Sequence, residues 1–139
     1  MLSIIYISVA DPLIGEPDIA ALLIQARRNN QRDGLTGALI FNGHNFLQLL
    51  EGPADKLDAC LAAIRQDSRH SGMIEIRRRE IDERAFADWS LMYEPQFDDH
   101  NDDLARLAAG GGLDPQDALM IENFIALGQR RRPGSGAAR

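Results

Sequence analysis

Asn45-Phe46-Leu47-Gln48-Leu49-Leu50-Glu51-Gly52-Pro53 reads as a β-strand that runs directly into a helix. The run is apolar enough to be covered on both faces, yet a glutamine stands between Leu47 and Leu49. A buried amide left without partners costs roughly 1–3 kcal/mol, so either Gln48 lies on a solvated face or the fold supplies groups that answer its carbonyl and its NH2. Working outward, Asn42-Gly43 is a hairpin signal, and Leu35 to Phe41 has strand composition, so these two strands form an antiparallel pair. After the strand, Gly52-Pro53 opens a helix whose apolar stripe is Leu57, Leu61 and Ile64, with Cys60 beside it as a packing residue.

Upstream, Leu2 to Val9 is rich in β-branched residues and almost continuously apolar, as in a central strand. Tyr6 and Ser8 are two apart and point to one face. Ile19, Leu22, Leu23 and Ala26 repeat at helical spacing after Pro17, and this helix is expected to end near Asn29-Asn30, where a C-cap is the ordinary role for asparagine. Gln31 to Gly34 is turn-like. Downstream, Asp67 to Gly72 breaks the second helix, Met73 to Ile81 is a strand with a wet end at Arg77-Arg78-Arg79, Glu83 to Asp88 holds a short helical turn, and Trp89 to Tyr93 is a final strand. The pattern predicts an α+β fold: a ferredoxin-like βαββαβ sandwich with an extra fifth strand and two helices on one sheet face. A C-terminal helical extension follows, made of a short helix around Leu104 to Ala108 and a helix from Pro115 to Gly128, packing on the open sheet face or on a partner. The expected organisation is a globular domain over 1–94, the extension over 95–128, and a disordered basic tail over 129–139.

The chain has 139 residues, 45% hydrophobic and 26% charged, with a net charge of -6 and one cysteine. These values suit one globular domain with a short appendage and argue against a nucleic-acid surface and against a disulfide framework. The start lacks signal-peptide character and no apolar run reaches the length of a membrane span, so a cytoplasmic location is expected. His44, His70 and His100 lack metal-ligand spacing. Arg77 to Arg79 read as a solvated face.

Five motifs stand in register: Tyr6-Ile7-Ser8; Asn30 with Gly34-Leu35-Thr36-Gly37; Phe46 to Gly52; Asp67-Ser68-Arg69-His70; and Arg84-Ala85-Phe86-Ala87-Asp88-Trp89-Ser90. In order and spacing they resemble the BLUF domains, blue-light sensors that use FAD, over residues 2 to 93. The resemblance implies the same sandwich fold with the isoalloxazine between the two helices. It implies that Tyr6 donates an electron and then a proton, and that Gln48 bridges Tyr6 and the flavin edge. Asn30 would hold the O4/N3 side of the ring, with Arg69 and His70 near the ribityl and phosphate portion and Leu22 and Ile64 as ring walls. It further implies a signal relay through Ser8, Trp89, Leu91 and Met92. Many family members carry methionine two positions after the tryptophan. This chain has Leu91 there and Met92 next, on the opposite strand face.

The function so implied is a photoswitch and not an enzyme. Its partners are the flavin, a further copy of the chain in a homo-oligomer, and a downstream protein; no nucleic acid and no membrane are expected. The alternatives on the same fold are a small acylphosphatase-like hydrolase, which needs a glycine-rich anion loop feeding an arginine, and a protein-interaction module. An RNA-binding sheet wants exposed aromatics and a basic surface, and this chain offers only Tyr6 and Phe46.

Overall fold

A computed structural model of the chain describes residues 1–95 and 112–130. The strands are β1 (Leu2–Ala10), β2 (Thr36–Phe41), β3 (Asn45–Gly52), β4 (His70–Glu80) and β5 (Met92–Pro95). The helices are α1 (Glu16–Asp33), α2 (Ala54–Arg65) and α3 (Pro115–Arg130). The sheet order is β4-β1-β3-β2-β5. β1 and β3 therefore occupy the middle, and the added β5 lies parallel to β2 at one edge. This is the α+β sandwich that the patterning implies.

Side-chain alternation splits the sheet into two differently covered faces. Ile4, Tyr6, Leu39, Phe46 and Leu50 pack with Ile19 and Leu23 of α1 and Leu57 and Leu61 of α2. Ile5, Ala38, Ile40, Leu47 and Leu49 pack with Leu113 and with Ile121 and Phe124 of α3. The near-continuous apolar run of β1 and β3 is thus explained by two-sided burial. The turn between β2 and β3 is stapled by Asn42, whose Oδ1 accepts from the backbone N–H of His44 at 3.1 Å and of Asn45 at 2.8 Å. Only Gly43 there takes positive φ, at 94°. Gly37 is required by close approach: a Cβ at this position would stand 2.0 Å from the Leu49 carbonyl oxygen.

Several boundaries differ from the sequence reading. α1 continues through Gln31, Arg32 and Asp33 and stops at Gly34, whose φ of 70° provides the left-handed cap. Asn30 is consequently a residue of the last helical turn and not the cap. β4 begins at His70, because β1 is long enough to pair with it there, opposite Ala10. β5 begins only at Met92, so Trp89 lies ahead of the strand. Residues 81–91 form bends and one turn, closed by the Trp89 N–H on the Phe86 carbonyl at 2.9 Å, where a helical turn was expected over Glu83 to Asp88. α3 passes through Gly128 to Arg130, so Gln129 and Arg130 are helical. The expected helix at Leu104 to Ala108 and the tail beyond Arg130 fall outside the described residues. No helix among them is long and apolar enough to cross a membrane.

Of the three arginines of β4, Arg78 is exposed as expected, but Arg77 and Arg79 are not on a solvated face. Arg77 and Arg79 lie on the α3 side, paired in register with Ile5 and Ser3. Arg77 Nη1 donates to Asp114 at 2.6 Å and to Asp117, and Arg79 reaches Asp117 at 3.3 Å. Asp114 also caps α3, accepting from the Gln116 and Asp117 N–H groups at 3.0 and 3.2 Å. Arg78 faces the other way, toward Asp58 of α2 and Glu75. The charges that seemed to mark a wet strand end therefore fasten the first turn of α3 to the edge strand.

Arg77→Ala should lower stability by roughly 1–3 kcal/mol, because it leaves the buried Asp117 carboxylate with Arg79 alone, at 3.3 Å. The Arg77 guanidinium also holds the Asp114 carboxyl below its ordinary range. A depressed folded pKa contributes stability that is present above the unfolded value of about 3.9 and is lost as pH falls through the folded value. The melting-temperature gap between wild type and Arg77→Ala should hold from neutral pH down to about pH 4 and close below it. A gap already closed at pH 6 would sink this account.

Candidate flavin site

β1 and β3 place Tyr6 directly opposite Gln48. Both side chains are buried on the face toward α1 and α2, and the Tyr6 hydroxyl donates to Gln48 Oε1. The puzzle posed by one amide in an apolar strand is half answered by this contact. A cavity of about 210 Å³ opens above the pair. Tyr6, Gln48, Leu39 and Phe46 form its floor, Leu22, Ala26, Asn29 and Asn30 of α1 one wall, and Ala59, Cys60, Ala63 and Ile64 of α2 the other. Ala26, Ala59 and Ala63 are small residues on facing helix surfaces, and they keep the slot between the helices open. Arg32, Asp33, Asp67 and Arg69 stand at its margin.

Two polar atoms of this lining lack a protein partner among the described residues. Gln48 uses Oε1 for Tyr6, and its Nε2 donates to none of them. Asn30 uses Nδ2 for the Ser90 carbonyl at 2.7 Å, and its Oδ1 accepts from none of them. The cavity thus presents one donor and one acceptor that no described protein group answers, on the Gln48 and Asn30 amides. The edge of an isoalloxazine, with its carbonyl oxygens, N5 and N3–H, is complementary to both. The residues present fit a flavin.

Electrostatics separate the floor from the margin. Burial pushes the Tyr6 phenol well above its ordinary pKa of 10.0, and the nearby Cys60 and Asp67 raise it further. Burial likewise lifts the Cys60 thiol to about 11, with Asp33 adding to it. Both groups are neutral in the physiological range. At the margin, Arg69 is held by Asp67 at 2.5 Å and by Gln25 Oε1 at 2.9 Å, and Arg32 pairs with Asp33 at 2.9 Å.

Of the residues singled out from sequence, Tyr6, Gln48, Asn30, Arg69, Leu22 and Ile64 come together around this cavity. His70 opens β4 next to Arg69 in the chain. Ser8 is buried on the Tyr6 face, opposite Phe46. Trp89 is 36% exposed and does not line the cavity; only its backbone is engaged, accepting from the Gly37 N–H at 3.2 Å. Leu91 is buried on the helix-side face and Met92 on the α3 side. Asp67, Gln25 and the Ser90 carbonyl escaped sequence reasoning. Gln25 was open to discovery, since it shares a helical stripe with Leu22 and Asn29. A backbone carbonyl carries no signature in sequence at all.

Comparison with known proteins agrees with this geometry. The family model described as BLUF, sensors of blue-light using FAD, matches residues 1–92. A photoactivated adenylate cyclase subunit beta of Euglena longa is 37% identical over 87 residues, which is 62% of this chain and 10% of that protein. The blue light- and temperature-regulated antirepressor BluF of Escherichia coli (strain K12) is 45% identical over 51 residues, 37% of this chain and 13% of that protein. The chain thus spans only about a tenth of these curated relatives. Among solved structures, the dark state of the BLUF protein BlrB superposes with a TM-score of 0.71 at 26% identity, covering 90% of this chain and 93% of that one. Klebsiella pneumoniae BlrP1 with FMN and cyclic diGMP gives 0.78 at 29% identity, covering 94% and 36%.

The protein has two tyrosines, Tyr6 and Tyr93, and burial also raises Tyr93, to about 12. A folded pKa above the unfolded value near 10 contributes stability that is present below 10 and is lost as pH rises through the folded value. Absorbance titration of the folded protein should therefore show no tyrosinate at about pH 10, where free tyrosine is half ionised. Half-titration there would contradict the burial of both phenols.

Proposed function

Since the chain belongs to the BLUF family of blue-light sensors using FAD, we propose that Tyr6 and Gln48 are its photoactive pair and that the cavity between α1 and α2 holds the isoalloxazine. The observation that carries this reading is the Tyr6–Gln48 hydrogen bond beneath a two-helix cavity, with Asn30 supplying the second ring-edge group. Excited by blue light, a bound flavin supplies a strong electron acceptor. The chain does the rest. Tyr6 is neutral and buried, so loss of an electron leaves a phenol cation that must shed its proton, and Gln48 Oε1 is already bonded to that proton. Return of the electron and proton leaves the Gln48 amide rearranged, by rotation or tautomerisation, with its donor and acceptor ends presented differently to the ring. An amide suits this task because both functions sit on one rotatable group.

Asn30 holds the O4/N3 side of the ring in this reading, and Leu22 and Ile64, which line the same cavity, hold its faces. Arg69, clamped by Asp67 and Gln25 at the cavity margin, would meet the ribityl and phosphate chain, and His70, next to it in the chain, is assigned to the same portion by the family resemblance. FAD is the cofactor that the family description supports, and FMN in BlrP1 is bound by a protein of the same fold. The part assigned to residues 1–94 is that of a switch, in which the Tyr6–Gln48 pair is restored after each light cycle. The rearranged amide acts on β5, where Leu91 faces the cavity side and Met92 supports α3. Ser8, under the same face as Tyr6, and Trp89, ahead of β5, flank this route. Leu119 and Leu127 are exposed on α3 and offer apolar surface to a downstream protein or to a second copy of the chain.

Light-minus-dark absorption spectra test this directly. Wild type loaded with FAD should shift to the red under blue light and recover in the dark. Gln48→Leu and Tyr6→Phe should bind flavin and lose the normal shift. A full shift in Gln48→Leu removes the role given to that residue, and protein that takes up no flavin removes the reading as a whole.

A further inference from the structure

Three residues beyond Gln48 on β3, and on the opposite face, Glu51 is buried with no cationic partner among the described residues. Its carboxylate is answered by neutral donors. Oε1 accepts from the Phe86 N–H at 2.6 Å and from Thr36 Oγ1 at 2.9 Å, and Oε2 accepts from the Ala85 N–H at 2.9 Å. A carboxylate is acceptor-only, and charge-assisted bonds of this kind are the stronger ones, so two consecutive backbone amides of the 81–91 segment are pinned to β3. Arg84 fastens the same segment to α1 and β2, through the Gly34 carbonyl at 2.7 Å and Thr36 at 3.0 Å. Beyond the pinned amides, the Trp89 N–H closes on the Phe86 carbonyl, and the next residue, Ser90, gives its carbonyl to Asn30 Nδ2. The Leu91 carbonyl accepts from Arg27 Nε at 3.0 Å.

A closed circuit results. Gln48 stands on β3; Glu51 of the same strand holds Ala85 and Phe86; the turn carries Ser90 to Asn30; and Asn30 returns to the cavity opposite Gln48. We infer that Glu51 is a positioning residue for the photoswitch. It fixes the height of the 84–91 segment over β2 and β3, and with it the orientation of the Asn30 amide and the start of β5. Both ring-edge amides are referred to one carboxylate, so the light-state lifetime depends on Glu51 although it lies on the sheet face away from the cavity. This rests on the flavin-switch reading for its spectroscopic consequence, but not for its structural one.

Glu51→Gln keeps the shape and replaces one acceptor oxygen with a donor facing backbone N–H groups. Two readouts separate positioning from plain stability, with Arg77→Ala as the comparison at equal or larger loss of melting temperature. In flavin-free protein, the Asn30 side-chain NH2 resonances should show exchange protection from the Ser90 carbonyl, and Glu51→Gln should lose that protection while Arg77→Ala keeps it. In flavin-loaded protein, Glu51→Gln should change the dark-recovery rate by at least about fivefold, the factor one lost hydrogen bond is worth, while Arg77→Ala leaves it nearly unchanged. If Glu51→Gln does not fold, Thr36→Val removes one donor to Glu51 together with one acceptor for Arg84, leaves both backbone N–H bonds to Glu51 in place, and should move both readouts in the same direction by less. Wild-type Asn30 protection in these variants, or an equal rate change in Arg77→Ala, overturns the inference. Failure of wild type to take up flavin strikes the switch reading alone, since the Asn30 resonances still report on Glu51.

Discussion

The hydrogen bond from the Tyr6 hydroxyl to Gln48 sets the terms for the rest of the molecule. A phenol and an amide placed deep between sheet and helices are stable only as a pair, because each would otherwise be a polar group without a partner in an apolar setting. Their meeting requires β1 and β3 to be neighbours in one register, since a slip of one residue sends one of the two side chains to the opposite face. The order β4-β1-β3-β2-β5 provides this by placing both strands in the middle, where each has a strand on either side. The bond also leaves one end of the amide, Nε2, turned toward a cavity instead of toward protein. Stability and ligand specificity therefore come from the same contact.

A sheet that must bury polar function on one face needs its stability from elsewhere. Here it comes from the second face, where Leu47 and Leu49, the neighbours of Gln48, pack under α3 with Ile5 and Ile40. The first turn of α3 is fastened to β4 by Arg77 and Arg79, and its far half reaches the β2–β3 turn, where Asn42 Nδ2 donates to the Phe124 carbonyl at 3.4 Å. The helix thus crosses the sheet from edge strand to turn, covering the apolar residues that alternate with the functional ones. The division of labour is written in residue parity along β3: even positions 46, 48 and 50 face the cavity side and odd positions 47 and 49 face α3.

That parity is why so much was legible in the sequence. Strand order, the hairpin at Asn42-Gly43 and the opposite facing of Leu47 and Gln48 all follow from short-range pattern and chain connectivity. The boundaries missed depend on partners distant in sequence. Arg77-Arg78-Arg79 reads as wet until Asp114 and Asp117, 37 and 40 residues on, are seen to meet Arg77. Trp89 reads as strand because its composition suits one, yet β2 offers partners in register only from Ala38 opposite Met92 to Phe41 opposite Pro95. The role expected for Asn30 rests on family resemblance alone, and its tether to Ser90 could not be read at all, since main-chain carbonyls leave no trace in residue identity.

The residue that departs from the family pattern now has a physical account. With Leu91 in the helix-side core and Met92 in the α3-side core, the side chain nearest the cavity is an aliphatic one without a hydrogen-bonding group, and the methionine contributes to the other layer. A relay that relied on a polar or polarisable side chain beside Gln48 is therefore not available at this position. The backbone around it is engaged instead: Ser90 and Leu91 give their carbonyls to Asn30 and Arg27 of α1. Hydrogen bonds to main chain move the chain itself. Residues 90 and 91 are thereby tied to α1 just ahead of β5, with Leu91 in one core layer and Met92 in the other. Substitution at position 91 changes packing while leaving these two main-chain hydrogen bonds in place, because they are made by carbonyls and not by the side chain.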